Sequence, residues 1–262
     1  MDLNLKGKKA LVCGSTQGIG KAAAIELAKL GADVVLLARN EQSLKLTVSE
    51  LPANGSQHHD YIVADYSDQK HLKQAVEEYV GKSGPINILV NNTGGPPAGP
   101  ITLAKPEEFV TAFNNHLVCN HILTQACLEG MKQSGYGRII NIISTSVKLP
   151  LPNLGVSNTV RAAVGNWAKT MANELGKNGI TVNNVLPGAT RTQRLTGIIE
   201  NRSSRTQVQK EEIEKEMMSE IPMGRFADAS EVANAVAFLA SPAACYITGI
   251  NLPVDGGRTG NL

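Results

Sequence analysis

Apolar residues along this chain fall into two alternating rhythms. Short unbroken runs, such as Ala10-Leu11-Val12-Cys13, Val34-Val35-Leu36-Leu37-Ala38 after Asp33, Tyr61-Ile62-Val63-Ala64 and Ile86-Asn87-Ile88-Leu89-Val90, predict strands buried on both faces. Between them, apolar side chains recur at helical spacing. Ile19, Ala23, Leu27 and Leu30 mark a first helix ended by Gly31, and Leu72, Val76 and Val80 mark another, with Ser67 as its expected cap. Val156, Val160, Val164, Trp167, Met171 and Leu175 form the stripe of a longer helix, with Ser157 and Arg161 together on an adjoining face. Ile180 to Leu186 reads as a further strand, and Asp228-Ala229-Ser230-Glu231 has capping-box spacing before Val232, Val236 and Leu239. Repeated β–α alternation predicts an α/β fold: one doubly wound parallel sheet with helices on both faces. The rhythm breaks only at about 190–223, where charges mix, so 1–262 reads as a single domain carrying one extra lobe.

Composition narrows the class without changing that picture. The chain has 262 residues, 42% of them hydrophobic, enough for one large core. A net charge of +2 offers no basic field for nucleic acid, so no nucleic-acid partner is expected. Cys13, Cys119, Cys127 and Cys245 show no C-x-x-C spacing and read as reduced core thiols. The first residues lack the apolar core of a signal peptide and no run is long enough to cross a bilayer, so a cytoplasmic protein without a membrane partner is expected. His58 and His59 are adjacent, and His116 and His121 are not at helical ligand spacing, so no metal is expected.

The chemistry begins where the first strand ends, in Gly14-Ser15-Thr16-Gln17-Gly18-Ile19-Gly20. Glycines at a strand–helix corner let the turn bend sharply, and a pyrophosphate can then lie against N–H groups at the helix N-terminus. Arg39 follows the second strand, about 20 residues past the glycines, where an acidic residue would hold the ribose 2′-hydroxyl of NAD. A guanidinium there pairs with a 2′-phosphate, which favours NADP(H). Asp65, followed by Tyr66, ends the third strand, where a carboxylate could meet an adenine amino group.

These pieces, with Asn91-Asn92-Thr93-Gly94, Asn141-Ile142-Ile143-Ser144, Pro187-Gly188, Tyr246-Ile247-Thr248-Gly249 and Val254-Asp255-Gly256-Gly257, resemble the short-chain dehydrogenase/reductase family. Within it the chain is most similar to the 3-oxoacyl-acyl-carrier-protein reductase type. The resemblance implies a Rossmann-type sheet of about seven strands and a nicotinamide cofactor bound by Gly14, Ser15, Gln17, Gly18, Ile19, Gly20, Arg39, Asp65, Tyr66, Asn92, Gly94, Arg161, Pro187 and Gly188. It also implies a homotetramer or homodimer packed through two long middle helices, a substrate lobe at about 190–223, and a small carbonyl or alcohol substrate, an acyl thioester among the candidates.

The resemblance breaks at the catalytic residues. Ser144 takes the place of the family's serine, but the tyrosine and lysine positions hold Ser157 and Arg161, and no tyrosine lies between Tyr136 and Tyr246. The asparagine position falls on His116, or on Asn115 if one residue is inserted. A serine hydroxyl is a far weaker acid than a phenol, and arginine does not relay protons as lysine does. Three readings follow. In the first, the chain is an NADP(H) oxidoreductase in which His116 or a water supplies the proton while Arg161 and Ser144 steady the oxyanion. In the second it binds or senses NADP(H) without turnover, and in the third it serves as an assembly partner that the cofactor stabilises.

Overall fold

A computed structural model describes residues 1–260. Its first strand, β1 (Lys9–Cys13), points Ala10 and Val12 into one core and Leu11 and Cys13 into another. That division explains the unbroken apolar run: period-two side chains meet a covered face on both sides. The remaining strands are β2 (Asp33–Ala38), β3 (Asp60–Val63), β4 (Ile88–Asn91), β5 (Gly137–Ile142), β6 (Ile180–Pro187) and β7 (Asn251–Val254). All pair in parallel, in the order β3-β2-β1-β4-β5-β6-β7. The expected doubly wound seven-stranded sheet is therefore present.

One face is covered by α1 (Gly18–Lys29) and α9 (Ala229–Ala240), whose Ala23, Leu27, Val232 and Val236 share a core with β1 and β2. The other is covered by α3 (Gln69–Ser83), α5 (Cys119–Ser134) and α6 (Gly155–Leu175). The α9 capping box forms with Asp228 and Glu231. At α3 the cap is Asp68, which accepts from His71 N–H at 2.9 Å, and not Ser67, whose own N–H donates to Asp65. A short helix that the apolar pattern did not mark, α2 (Glu41–Glu50), follows Arg39. Only Leu44 and Thr47 of it are buried, so its stripe is too thin to read.

Chain order reverses between β1 and β4, and a crevice opens there at the C-terminal strand ends. Four asparagines in register brace the adjoining half of the sheet. Asn91 donates to Asn141 at 2.9 Å, Asn141 to Asn184 at 2.9 Å, and Asn184 to Asn251 at 2.8 Å.

Between β4 and β5, α4 (Pro106–Phe113) runs into α5 through a single π-helical segment, Asn114–Val118. Such a segment inserts one residue and turns the helix faces that follow it. The lobe after β6 is a helix pair, α7 (Gln193–Thr206) and α8 (Lys210–Ser219), closed over Leu195, Ile199, Ile213, Ile221 and Phe226. Cys13, Cys119 and Cys127 are buried, but Cys245 is exposed beyond the last 3-10 turn and is not a core thiol. Among the described residues no helix is long and apolar enough to cross a membrane.

Candidate active site

The crevice holds a cleft of about 1100 Å³ that runs from Arg39 past the glycine turn to α6 and the α7–α8 lobe. The α1 N-terminus opens onto it through Gln17, Gly18 and Ile19. Gln17 makes no side-chain cap, and no acidic residue stands in the first turn. The α2, α3 and α7 N-termini, by contrast, are closed by Asn40, Asp68 and Thr192. Uncapped N–H groups at a glycine turn suit a pyrophosphate, so the residues present fit a dinucleotide.

The glycines are required by contact as well as by conformation. A Cβ on Gly20 would lie 2.2 Å from Gly14 O, and Gly18 has φ +54°. Gly20 therefore packs behind the turn and does not line the cleft, contrary to the expectation that it touches the cofactor. Ser15 departs likewise: it is fully buried and its hydroxyl donates to Leu37 O. Thr16, which the glycine pattern passed over, lines the cleft instead. Asn92 lines it too, but its amide is spent on the turn, donating to Cys13 O and Gly14 O at 3.2 Å each.

At one end of the cleft, exposed Arg39 stands near Asp65. The Ser67 backbone N–H, its hydroxyl and then Arg39 hold the Asp65 carboxyl below the usual carboxylate range. Tyr66 borders the cleft, but its side chain turns into the core beside Cys13 and Cys119. Burial first, then Cys13, raises its phenol well above the ordinary value, so this tyrosine supplies no acid to the cleft. The other four are also engaged or remote. Tyr61 donates to Glu41 and Tyr136 to Ala240 O, Tyr79 packs under Lys9, and Tyr246 is fully exposed.

Ser144, Ser157, Arg161, Pro187, Gly188 and Gly94 all line the cleft, so the structure gathers them as the sequence pattern anticipates. Ser144 Oγ accepts from Ser146 N–H at 3.1 Å, which leaves its own proton free to donate. Arg161 is only 8% exposed; its Nη1 donates to Ile142 O at 2.7 Å, and its Nε has no partner. Burial, and then Arg194, push its guanidinium down to about 10.

His116 does not stand in the cleft, contrary to the expectation that it donates a proton there. The π segment turns Asn115 toward the cleft and leaves His116 behind it, 3% exposed. Burial, then Arg161, then Arg194 lower its imidazole to about 2, so it is neutral at any pH near 7 and has no proton to give as an acid. Sequence reasoning missed Arg194. It rises from the first turn of α7, reaches across to Pro96 O at 2.7 Å, and lines the same cleft.

Against known proteins, residues 14–259 match the family model described as enoyl-(acyl carrier protein) reductase. The chain belongs to the short-chain dehydrogenase/reductase family. This short-chain dehydrogenase/reductase is 36% identical to the 3-oxoacyl-[acyl-carrier-protein] reductase FabG of Vibrio cholerae, over 97% of this chain and 98% of that one. Among solved structures it is similar to L-sorbose reductase from Gluconobacter frateurii complexed with NADPH and L-sorbose, with TM-score 0.92, 30% identity and full coverage of both chains. It is similar also to YwfH, an NADPH-dependent reductase involved in bacilysin biosynthesis, with TM-score 0.91 and 30% identity over 97% of this chain and 99% of that one.

Proposed function

We propose that this short-chain dehydrogenase/reductase, an NADP(H)-dependent oxidoreductase, reduces a small carbonyl compound through serine and arginine donors in place of a phenol–ammonium pair. One observation carries the reading: an uncapped glycine-turn helix end and a buried guanidinium that pairs with no carboxylate lie in the same cleft. The turn and Arg39 hold the two phosphate-bearing parts of the cofactor, which when bound supplies a hydride to the substrate carbon.

As that carbon is reduced, charge grows on the carbonyl oxygen. Ser144 and Ser157 offer hydroxyl protons from β5's end and α6, Asn115 offers its amide, and Arg161 brings a full positive charge to the lining of the same space. Arg161 stays protonated near pH 7 even at about 10, so it stabilises charge and does not relay protons. The proton that finally neutralises the oxygen comes from water in the open cleft.

An acyl thioester is one substrate within this reading. So is a homotetramer or homodimer formed through α4–α5 and α6, for which exposed Val110 and Phe113 on α4 speak. The test is NADPH absorbance followed with a panel of ketones and acetoacetyl thioesters. Turnover that falls at least tenfold in Ser144→Ala supports the reading, at roughly the scale of one lost charge-stabilising donor. Tight NADPH binding with no turnover on any carbonyl would favour the binding module.

A further inference from the structure

We infer that the inner end of the cleft selects substrates bearing a carboxylate beside the reacting carbonyl, held between Arg161 and Arg194. The inference rests on the oxidoreductase reading for the reaction, but the anion site is built from its own observations.

The first is a charge inventory of the cleft. Its carboxylates are Asp65 near Arg39, and Glu216 and Glu220 in the lobe. Glu216 is taken by Arg202 at 2.6 Å and Glu220 by Arg258. Arg161 and Arg194 pair with no carboxylate among the described residues; each donates to a main-chain carbonyl instead, Ile142 O and Pro96 O at 2.7 Å. Two cations therefore face one chamber with no counter-ion.

The second observation is how costly that arrangement is. Arg161 is more than nine-tenths buried and its Nε donor has no partner. A buried charge left uncompensated, with a like charge nearby, is a large penalty on the folded chain. His116 lies in the field of both guanidiniums, and being neutral it offsets neither. An entering anion removes the penalty.

The third is placement. Arg161 stands on α6, on the scaffold side, while Arg194 stands on the lobe and reaches the 93–100 loop across the cleft. A ligand seated between lobe and scaffold meets both forks. Guanidinium geometry matches the two oxygens of a carboxylate, which an ammonium in the Arg161 place would meet only as a point charge. The cofactor's phosphates do not account for the pair, because the α1 N-terminus and Arg39 serve them elsewhere in the cleft. A ribose hydroxyl on Arg161 would be neutral and would leave both charges uncompensated.

The test uses the full chain saturated with NADPH. Pyruvate is compared with methyl pyruvate, and acetoacetate with ethyl acetoacetate, while oxalate serves as a non-reducible probe. The acids are expected to exceed their esters by about 10- to 100-fold in kcat/KM, with oxalate competitive against them. Arg194→Gln should erase the preference, whereas Arg205→Gln, an exposed arginine on the same cleft, should keep it. Equal rates for acids and esters would overturn the inference, as would inorganic phosphate competing better than oxalate. If NADPH does not bind at all, the oxidoreductase reading falls. Calorimetry of oxalate on the cofactor-free chain, with and without Arg194→Gln, still decides the carboxylate site.

Discussion

Burial of His116 makes a measurable claim about acid stability. In the unfolded chain an imidazole takes a proton near pH 6.5, but in the folded chain it does so only at about pH 2. Between those values the unfolded state binds one proton more than the folded state, so stability falls as pH falls from about 6.5. The slope approaches about 1.4 kcal/mol per pH unit for one proton, which integrates to about 2 kcal/mol lost between pH 8 and pH 5. Above 6.5 neither state is protonated and the contribution vanishes. The number depends on the unfolded value alone, provided the folded value stays far below the working range. Urea unfolding of the wild type and of His116→Gln, at intervals from pH 8 to pH 5, isolates it, because His58, His59, His71 and His121 are common to both proteins. The stability difference between them should narrow or invert by about 2 kcal/mol across that range. A difference that stays constant with pH would mean that His116 titrates normally and that the chamber behind the cleft is open to water.

Three further outcomes are expected. Arg39→Asp should weaken NADPH by about 10- to 100-fold in calorimetry, the scale of one lost charge-assisted contact, and narrow the gap with NADH. Gly20→Ala places a methyl 2.2 Å from Gly14 O, so a drop of about 1 to 3 kcal/mol in urea unfolding should come with weaker NADPH binding. Ser157→Tyr combined with Arg161→Lys should raise carbonyl reduction on neutral ketones by about 10²-fold or more, read from NADPH absorbance, if these positions face the reacting oxygen.

Much of the fold was legible because its signals are local. The unbroken runs of β1 and β2, the α6 stripe and the Asp228–Glu231 spacing each report burial or capping within a few residues. The site was legible where it sits on those elements: the glycine turn, Ser144, Ser157 and Arg161. It failed where the information is not periodic. One inserted residue in a helix leaves no compositional trace, so only the folded π segment decides between Asn115 and His116. Ser15 and Gly20 sit in the right motif but face inward, because the turn must pack as well as bind. Arg194 belongs to a lobe outside the β–α rhythm, and its partner Pro96 is far away in sequence, so nothing short of the folded chain joins them.

The row of asparagines across β4, β5, β6 and β7 has a direction. The amide nitrogens of Asn91, Asn141 and Asn184 each hand a hydrogen toward the β7 edge, and at the other end of the series the Asn91 oxygen is buried and unmatched. Turning Asn141 or Asn184 over alone would set nitrogen against nitrogen at one side and oxygen against oxygen at the other, so neither inner amide reverses without its neighbours. Their dipoles then add along the row. An alteration at Asn251, on the outermost strand, is thereby felt at Asn91, beside the crevice where the chain order reverses.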